Sequence, residues 1–143
     1  HASAVPRPEG QRLDGLHVLL VEDNEINQEI AKELLLMEGA SVDVADNGEQ
    51  ALNIFARSEE GYYQLVLMDI QMPVMDGYTA TAALRSLRRD DAKTAIILAM
   101  TANVFSDDVI KAEASGMNGH ISKPFDPDKL YAMIAASCHK KRG

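Results

Sequence analysis

The chain has 143 residues, which supports one domain with a proper core. Its 46% hydrophobic and 25% charged residues are ordinary for a globular protein, and no apolar stretch approaches the roughly 20 residues of a transmembrane helix. The net charge of −8 argues against non-specific binding to nucleic acid or anionic membrane, and the single cysteine, Cys138, excludes an internal disulfide and fits a reducing cytosol.

Residues 1–15 carry Pro6, Pro8, Gly10 and Gly15 and lack the apolar centre of a signal peptide, so they read as a linker or leader. The start at His1 rather than a methionine predicts a piece of a longer protein. His17-Val18-Leu19-Leu20-Val21 then predicts a strand ending in the acid pair Glu22-Asp23. Asn24 is a candidate cap for a helix with Ile26, Ile30, Ala31, Leu34 and Leu35 at helical spacing, which Gly39 stops. Val42-Asp43-Val44-Ala45 alternates, as a half-buried edge strand does. Asn47-Gly48-Glu49-Gln50 opens a second helix with a capping-box pattern, and Ala51, Leu52 and Phe55 form its buried side.

Leu65-Val66-Leu67-Met68 runs without interruption into Asp69, and Met72-Pro73 and Asp76-Gly77 break the chain soon after. A third helix follows, burying Ala80, Ala83, Leu84 and Leu87. The strand Ala95–Met100 ends in Thr101-Ala102, a fourth helix runs from about 106 to 116, and Gly119-His120-Ile121-Ser122 ends in Lys123-Pro124. Asp126-Pro127 starts a fifth helix with Leu130, Met133 and Ile134 inward, and residues 139–143 form a basic tail. The basic residues Arg85, Arg88, Arg89 and Lys93 read as complements to helix dipoles.

Five strands alternating with five helices argue for a parallel α/β sheet. A short, unbroken apolar run fits a strand covered on both faces, and it delivers Asp69 to the carboxyl end, where such sheets place their binding crevice. If the strands are parallel, Glu22, Asp23, Asp69, Thr101 and Lys123 converge there. Three carboxylates in one small site repel one another and call for a cation. Oxygen ligands without nearby histidine or cysteine suit Mg2+ before Ca2+ and far before Zn2+.

This constellation resembles the receiver (response-regulator) domain of two-component phosphorelays over roughly residues 16–138. The motifs are Glu22-Asp23, Asp69-x-x-Met72-Pro73-x-Met75-Asp76-Gly77, Thr101-Ala102 and Lys123-Pro124-Phe125, in order and at domain-compatible spacing. The resemblance implies a flavodoxin-like (βα)5 three-layer sandwich with strand order 2-1-3-4-5. It implies that Asp69 takes a phosphoryl group from a phosphohistidine. Mg2+ would be held by Asp23, Asp69 and the backbone carbonyl of Gln71, with Glu22 acting through water or a longer reach. Lys123 would pair with Asp69 before phosphorylation and with a phosphoryl oxygen afterwards. Thr101 would hydrogen-bond the phosphoryl group, and Ala102 would leave the site open to a partner imidazole. His120 stands at the position of a switch residue, usually aromatic, that rotates inward as Thr101 engages. Gln71 and Asn103 would flank the path of the hydrolytic water and modulate the phosphoryl lifetime.

Val21-Glu22-Asp23-Asn24, Asn27, Gln71 and Met100-Thr101-Ala102-Asn103 further resemble the receivers fused to hybrid sensor histidine kinases. The expected partners are a histidine kinase dimerisation domain, a histidine phosphotransfer domain, or both. They would dock over Asn24, Ile26, Asn27, Ile30, Pro73, Met75, Pro124 and Phe125. The expected location is cytoplasmic, with any anchor in the inner membrane supplied by other segments of the parent protein. One alternative is the receiver of a response regulator whose output domain lies outside these residues. Another is an aspartyl-nucleophile phosphatase of the haloacid dehalogenase type. Such an enzyme needs an acid two residues after the nucleophile, where this chain has Gln71, which cannot transfer protons. A third alternative, a phosphorylation-silent module, would lack some of Asp69, Thr101 and Lys123.

Overall fold

Strand β1 (His17–Val21) pairs in parallel with β2 (Ser41–Ala45) on one side and β3 (Leu65–Asp69) on the other. Next to β3 come β4 (Ile96–Thr101) and β5 (Gly119–Ser122), also parallel, giving the order 2-1-3-4-5 expected of the flavodoxin-like fold. These relationships come from a computed structural model that describes residues 13–72, 74–102, 106–123 and 126–142. The side chains of 106–109 and 138–142 are outside the description. Burial explains the strand order. All residues of β3 and β4 are buried, so these strands must lie inside the sheet, whereas β2 alternates and stays at the edge.

Helices α1 (Glu25–Met37) and α6 (Pro127–Arg142) cover one face, where Ala31, Leu35, Leu130, Tyr131 and Ile134 pack on Val18, Leu20, Leu65, Leu67, Leu98 and Met100. Helices α2 (Gly48–Arg57), α3 (Gly77–Arg85), the single turn α4 (Asp91–Thr94) and α5 (Ser106–Ser115) lie with the other cluster. There Ala51, Phe55, Ala80, Leu84, Ala92 and Ala112 meet Leu19, Val21, Val66, Met68, Ile97 and Ala99. Three of the caps behave as side-chain acceptors. Asn24 accepts from the Asn27 N–H, Asn47 from Gln50 and Asp76 from Thr79, each satisfying a helix donor that has no partner within its own helix. Gln50 reaches back to the Asp46 N–H, one residue before its cap.

Three features differ from the sequence reading. Helix α4 is an addition, too short to show a periodicity. Asp91 at its start is buried, accepts the Gly61 N–H at 2.7 Å and takes a bidentate pair from Arg89 at 2.6 and 2.8 Å. Arg85 and Arg89 are not simple dipole complements. Arg89 also donates to the Phe55 and Ser58 carbonyls at 2.9 Å and lies 5.0 Å above the Phe55 ring, closing the end of α2. Arg85 donates to the carbonyls of Ala92, Ala95 and Gly116 and to the Asn118 side chain. Finally, Leu13 packs in the core with its N–H on the Glu38 carbonyl, and α6 continues through Arg142.

Among the described residues no helix is long and apolar enough to cross a membrane.

Candidate functional site

The carboxyl end of β1 turns immediately into α1, and that turn is fastened from three sides. The Glu22 N–H donates to the Ala45 carbonyl at 3.0 Å, the Gln28 amide donates to the Glu22 carbonyl at 2.6 Å, and Asn24 caps the helix. The turn sends the two acids in different directions: Glu22 is buried and Asp23 is exposed. Asp69, the last residue of β3, is 4% exposed, and its Oδ1 accepts the Gln71 N–H at 3.2 Å. The chain then doubles back so tightly that Gly77 abuts the Asp69 backbone carbonyl.

Lys123 enters from the far side of the sheet. Its backbone N–H donates to the Thr101 carbonyl at 2.8 Å, which ties the exit of β5 to the end of β4. Its ammonium lies 2.8 Å from Glu22 Oε1 and 3.2 Å from Asp69 Oδ2. The lysine thus meets Asp69 as expected, but its shorter contact is to Glu22. A cleft of about 230 Å³ opens over these groups, lined by Glu22, Asp23, Asn27, Asp69, Thr101 and Lys123 and bordered by Gln71 and Ala102. Thr101 is 8% exposed, whereas Ala102 faces solvent.

Electrostatics separates the two buried acids. Burial raises the Asp69 carboxyl, and the Glu22 charge adds to this against the pull of Lys123, leaving it at about 6. Burial also pushes Glu22 upward, but the bonds from Lys123 and the Asn24 N–H outweigh it, and Glu22 ends below the ordinary carboxylate range. Burial opposes the charge on Lys123, yet its two carboxylate partners raise it overall and keep it an ammonium. Glu22, Asp23 and Asp69 can each present one oxygen such that these atoms lie within 4.8 Å of one another. This is a hard-donor set with one solvent-facing member, and among the described residues no histidine or cysteine lines the cleft. It fits a divalent cation of the Mg2+ kind.

The remaining predicted positions are spread more widely. Gln71 is exposed at the rim, while its backbone is bonded to Asp69. His120 is half-buried and lines a separate groove of about 550 Å³ between β5 and α6, with Ile121, Lys129 and Met133. On α1, Ile26 and Ile30 are 70% and 48% exposed, so Ile30 does not face the core. Met75 is half-buried and packs against the cluster under α2 and α3. Its neighbour Val74 is 77% exposed and holds a φ of 71°, a strained setting for a β-branched residue. Pro73, Asn103, Pro124 and Phe125 lie outside the described residues.

Sequence reasoning missed the Glu22–Lys123 pair and the support given by Gln28, which also donates to Asp46 at 2.9 Å. Gln28 carries no local signal. The pair could have been found by asking which carboxylate has the reach to share the lysine.

Residues 18–135 match the family model of the response regulator receiver domain, and the chain belongs to that family. Its likenesses come from several kinds of parent protein. A transcription factor SKN7 of Candida albicans is 41% identical over 133 residues, covering 93% of this chain and 22% of that protein. The receiver domain of the sensor histidine kinase PA1611 from Pseudomonas aeruginosa, solved with magnesium coordinated in its active-site cleft, is 34% identical. It superposes with a TM-score of 0.76 over 85% of this chain and 96% of that one. The receiver domain of Ssk1 from Saccharomyces cerevisiae, co-crystallised with the histidine phosphotransfer protein Ypd1, gives 33% identity and a TM-score of 0.78, covering 88% and 91%. The chain spans 7% of the length of a hybrid histidine kinase relative and 22% of the SKN7 relative.

Proposed function

We propose that this domain accepts a phosphoryl group from a phosphohistidine onto Asp69, with Mg2+, and so relays or switches a two-component signal. The observation that carries this reading is the meeting of Asp69 with the Lys123 ammonium at 3.2 Å inside a cleft that also gathers Glu22, Asp23 and Thr101. An Asp69 oxygen would attack phosphorus as the phosphorus–nitrogen bond breaks, and the bonding pair would return to the imidazole. The product is an acyl phosphate. A carboxylate is a weak nucleophile, so the domain contributes mainly position and charge neutralisation. Lys123 would move from Asp69 to a phosphoryl oxygen, Thr101 would donate its hydroxyl to another, and the exposed Ala102 would leave room for the imidazole. Asp23 and Asp69 would hold the cation with the Gln71 carbonyl, and Glu22 would act through water or a longer reach. When bound, Mg2+ supplies neutralisation of charge on the transferring group.

The partner would be a kinase dimerisation domain or a phosphotransfer domain docking along the exposed apolar residues of α1; the Ypd1 complex of the Ssk1 receiver supports such a pairing. As for the parent protein, we favour a hybrid sensor histidine kinase, in line with the motif details and the PA1611 likeness. The SKN7 likeness supports the second reading, a response regulator with its own output domain. The sequence flanking this segment decides between them: a kinase core upstream supports the first, and a helix-turn-helix downstream overturns it. A phosphatase reading is disfavoured because Gln71 offers no proton-transferring group.

The test of the chemistry is incubation with acetyl phosphate and Mg2+. One phosphoryl group is expected, absent in Asp69→Asn and absent when the metal is chelated. Equal labelling of the Asn variant refutes the assignment. Asp23→Asn is expected to weaken Mg2+ binding more than Glu22→Gln, and the reverse order refutes the ligand roles.

A further inference from the structure

We infer that Glu22 is the anchor of the Lys123 ammonium, a positioning residue that keeps the lysine in the cleft and stays on it when the cation arrives. This rests on the reading of Asp69 as acceptor and Lys123 as its phosphoryl contact.

Four observations support it. First, Glu22 Oε1 is buried without a hydrogen bond and has the Lys123 ammonium beside it as an ion-pair partner at 2.8 Å, while Oε2 accepts the Asn24 N–H at 3.1 Å. The ammonium lies farther from Asp69, at 3.2 Å from its Oδ2, so Asp69 is the more distant ion-pair partner. Second, the Glu22 backbone is pinned through both its N–H and its carbonyl, so the side chain projects from a fixed root. Third, Glu22 is 1% exposed while the adjoining Asp23 faces solvent. A hydrated cation entering from outside meets Asp23 first, and drawing Glu22 away would leave a half-buried ammonium with one weak partner. Fourth, the reach is matched to this residue type. An aspartate at position 22 would withdraw its oxygens by about 1.5 Å, one carbon–carbon bond. A lysine is a point charge on a flexible stem and has no geometric fork of its own, so its location must be set by what it is paired with.

The consequence for the reaction is a division of labour. With Lys123 held mainly by Glu22, the Asp69 carboxylate is only partly neutralised and keeps its nucleophilic oxygen available. Once Asp69 becomes an acyl phosphate and its charge moves outward onto the phosphoryl group, the ammonium need only tilt toward a new oxygen without leaving Glu22.

The test is a double-variant cycle of wild type, Glu22→Gln, Lys123→Met and the pair, unfolded in urea with chelator and again with saturating Mg2+. The single changes are expected to destabilise, and the pair far less than their sum, giving a coupling of about tenfold or more in the folding constant under both conditions. A coupling that vanishes when Mg2+ is added shows Glu22 leaving the lysine for the cation and overturns the proposal. A readout beyond stability is the maximal rate of phosphorylation by acetyl phosphate. The Glu22→Gln deficit should persist at any Mg2+ concentration and should add nothing in the Lys123→Met background. Recovery of the wild-type rate at high Mg2+ would mark Glu22 as a metal ligand and overturn the anchor role. If wild type takes no phosphoryl group on Asp69 at all, the acceptor reading fails, while the chelated unfolding cycle still decides the Glu22–Lys123 pairing.

Discussion

Gly77 lies directly against the backbone carbonyl of Asp69, so closely that a Cβ at position 77 would overlap that oxygen and crowd the Ile70 Cα at 2.9 Å. The glycine that follows the loop is therefore part of what seats Asp69. Gly77→Ala forces either β3 or the start of α3 to shift, because the obstructing atoms are backbone. We expect a destabilisation of about 1–3 kcal/mol, typical of overpacking, visible in the urea midpoint. Phosphorylation by acetyl phosphate should fall even at temperatures where the variant stays folded. An alanine variant with wild-type stability and rate would show that the contact is slack.

Docking should separate from chemistry on α1. Ile26 and Ile30 expose apolar side chains beside the cleft without lining it. Ile26→Asp and Ile30→Asp are expected to slow transfer from a phosphorylated protein donor by about tenfold, equivalent to about 1.4 kcal/mol. Acetyl phosphate, which needs no docking face, should label both variants at the wild-type rate. Equal slowing with both donors would place the defect in folding or chemistry.

Lifetime should depend on two amides. Gln71 is exposed at the rim of the cleft, and the reading of Asn103 as its counterpart comes from its place two residues after Thr101. An amide can orient water but cannot deprotonate it, so neither residue is required for hydrolysis. The Gln71→Ala, Asn103→Ala double variant should change the phosphoryl half-life by roughly twofold or more, measured by loss of label after the donor is removed. An unchanged half-life removes both residues from the water path.

Stability should respond to acid through Asp91. The bidentate bond from Arg89 holds its carboxyl below the ordinary range, ahead of the opposing effect of burial and helped by the Gly61 N–H. A depressed folded-state value means that the contribution is present above the unfolded value of about 3.9 and is lost as pH falls through the folded one. Asp91→Asn should therefore cost about 1.5–3 kcal/mol at pH 7, the range for hydrogen bonds to a charged group. The gap to wild type should narrow below about pH 4. Urea unfolding at pH 7 and pH 3 checks this, and a gap that widens in acid contradicts it.

What the sequence made legible was the end of each strand. Leu65–Met68 is apolar on both faces and Val42–Ala45 on one, which alone separates a central strand from an edge strand and so orders the sheet. Given that order, Glu22, Asp23, Asp69, Thr101 and Lys123 must share one side, and they do. Contacts that depend on side-chain reach were not legible. Nothing in the local sequence distinguishes Arg89 from Arg88, yet one guanidinium closes the end of α2 and the other is exposed. Nor does the spacing reveal that Lys123 lies nearer to Glu22 than to Asp69. Glu22 reaches the lysine with one methylene more than an aspartate has, from a backbone to which Gln28 donates. Leu13 read as leader because its neighbours are polar, but a single leucine suffices to pack an entry turn.

The strand pairing also decides which layer each group belongs to. Asp69 pairs with Met100, and Met100 sits with Leu65, Leu67 and Ile121 in the core beneath α1 and α6. Thr101, one residue further along β4, falls in the alternation of Ile97 and Ala99, which point to the layer of α2, α3 and α5. Asp69 and Thr101 thus continue opposite faces of the strands and meet in one cleft at the carboxyl edge of the sheet. A small group bonded to both would cross-link the ends of β3 and β4, and with them the edges of the two cores that these strands separate.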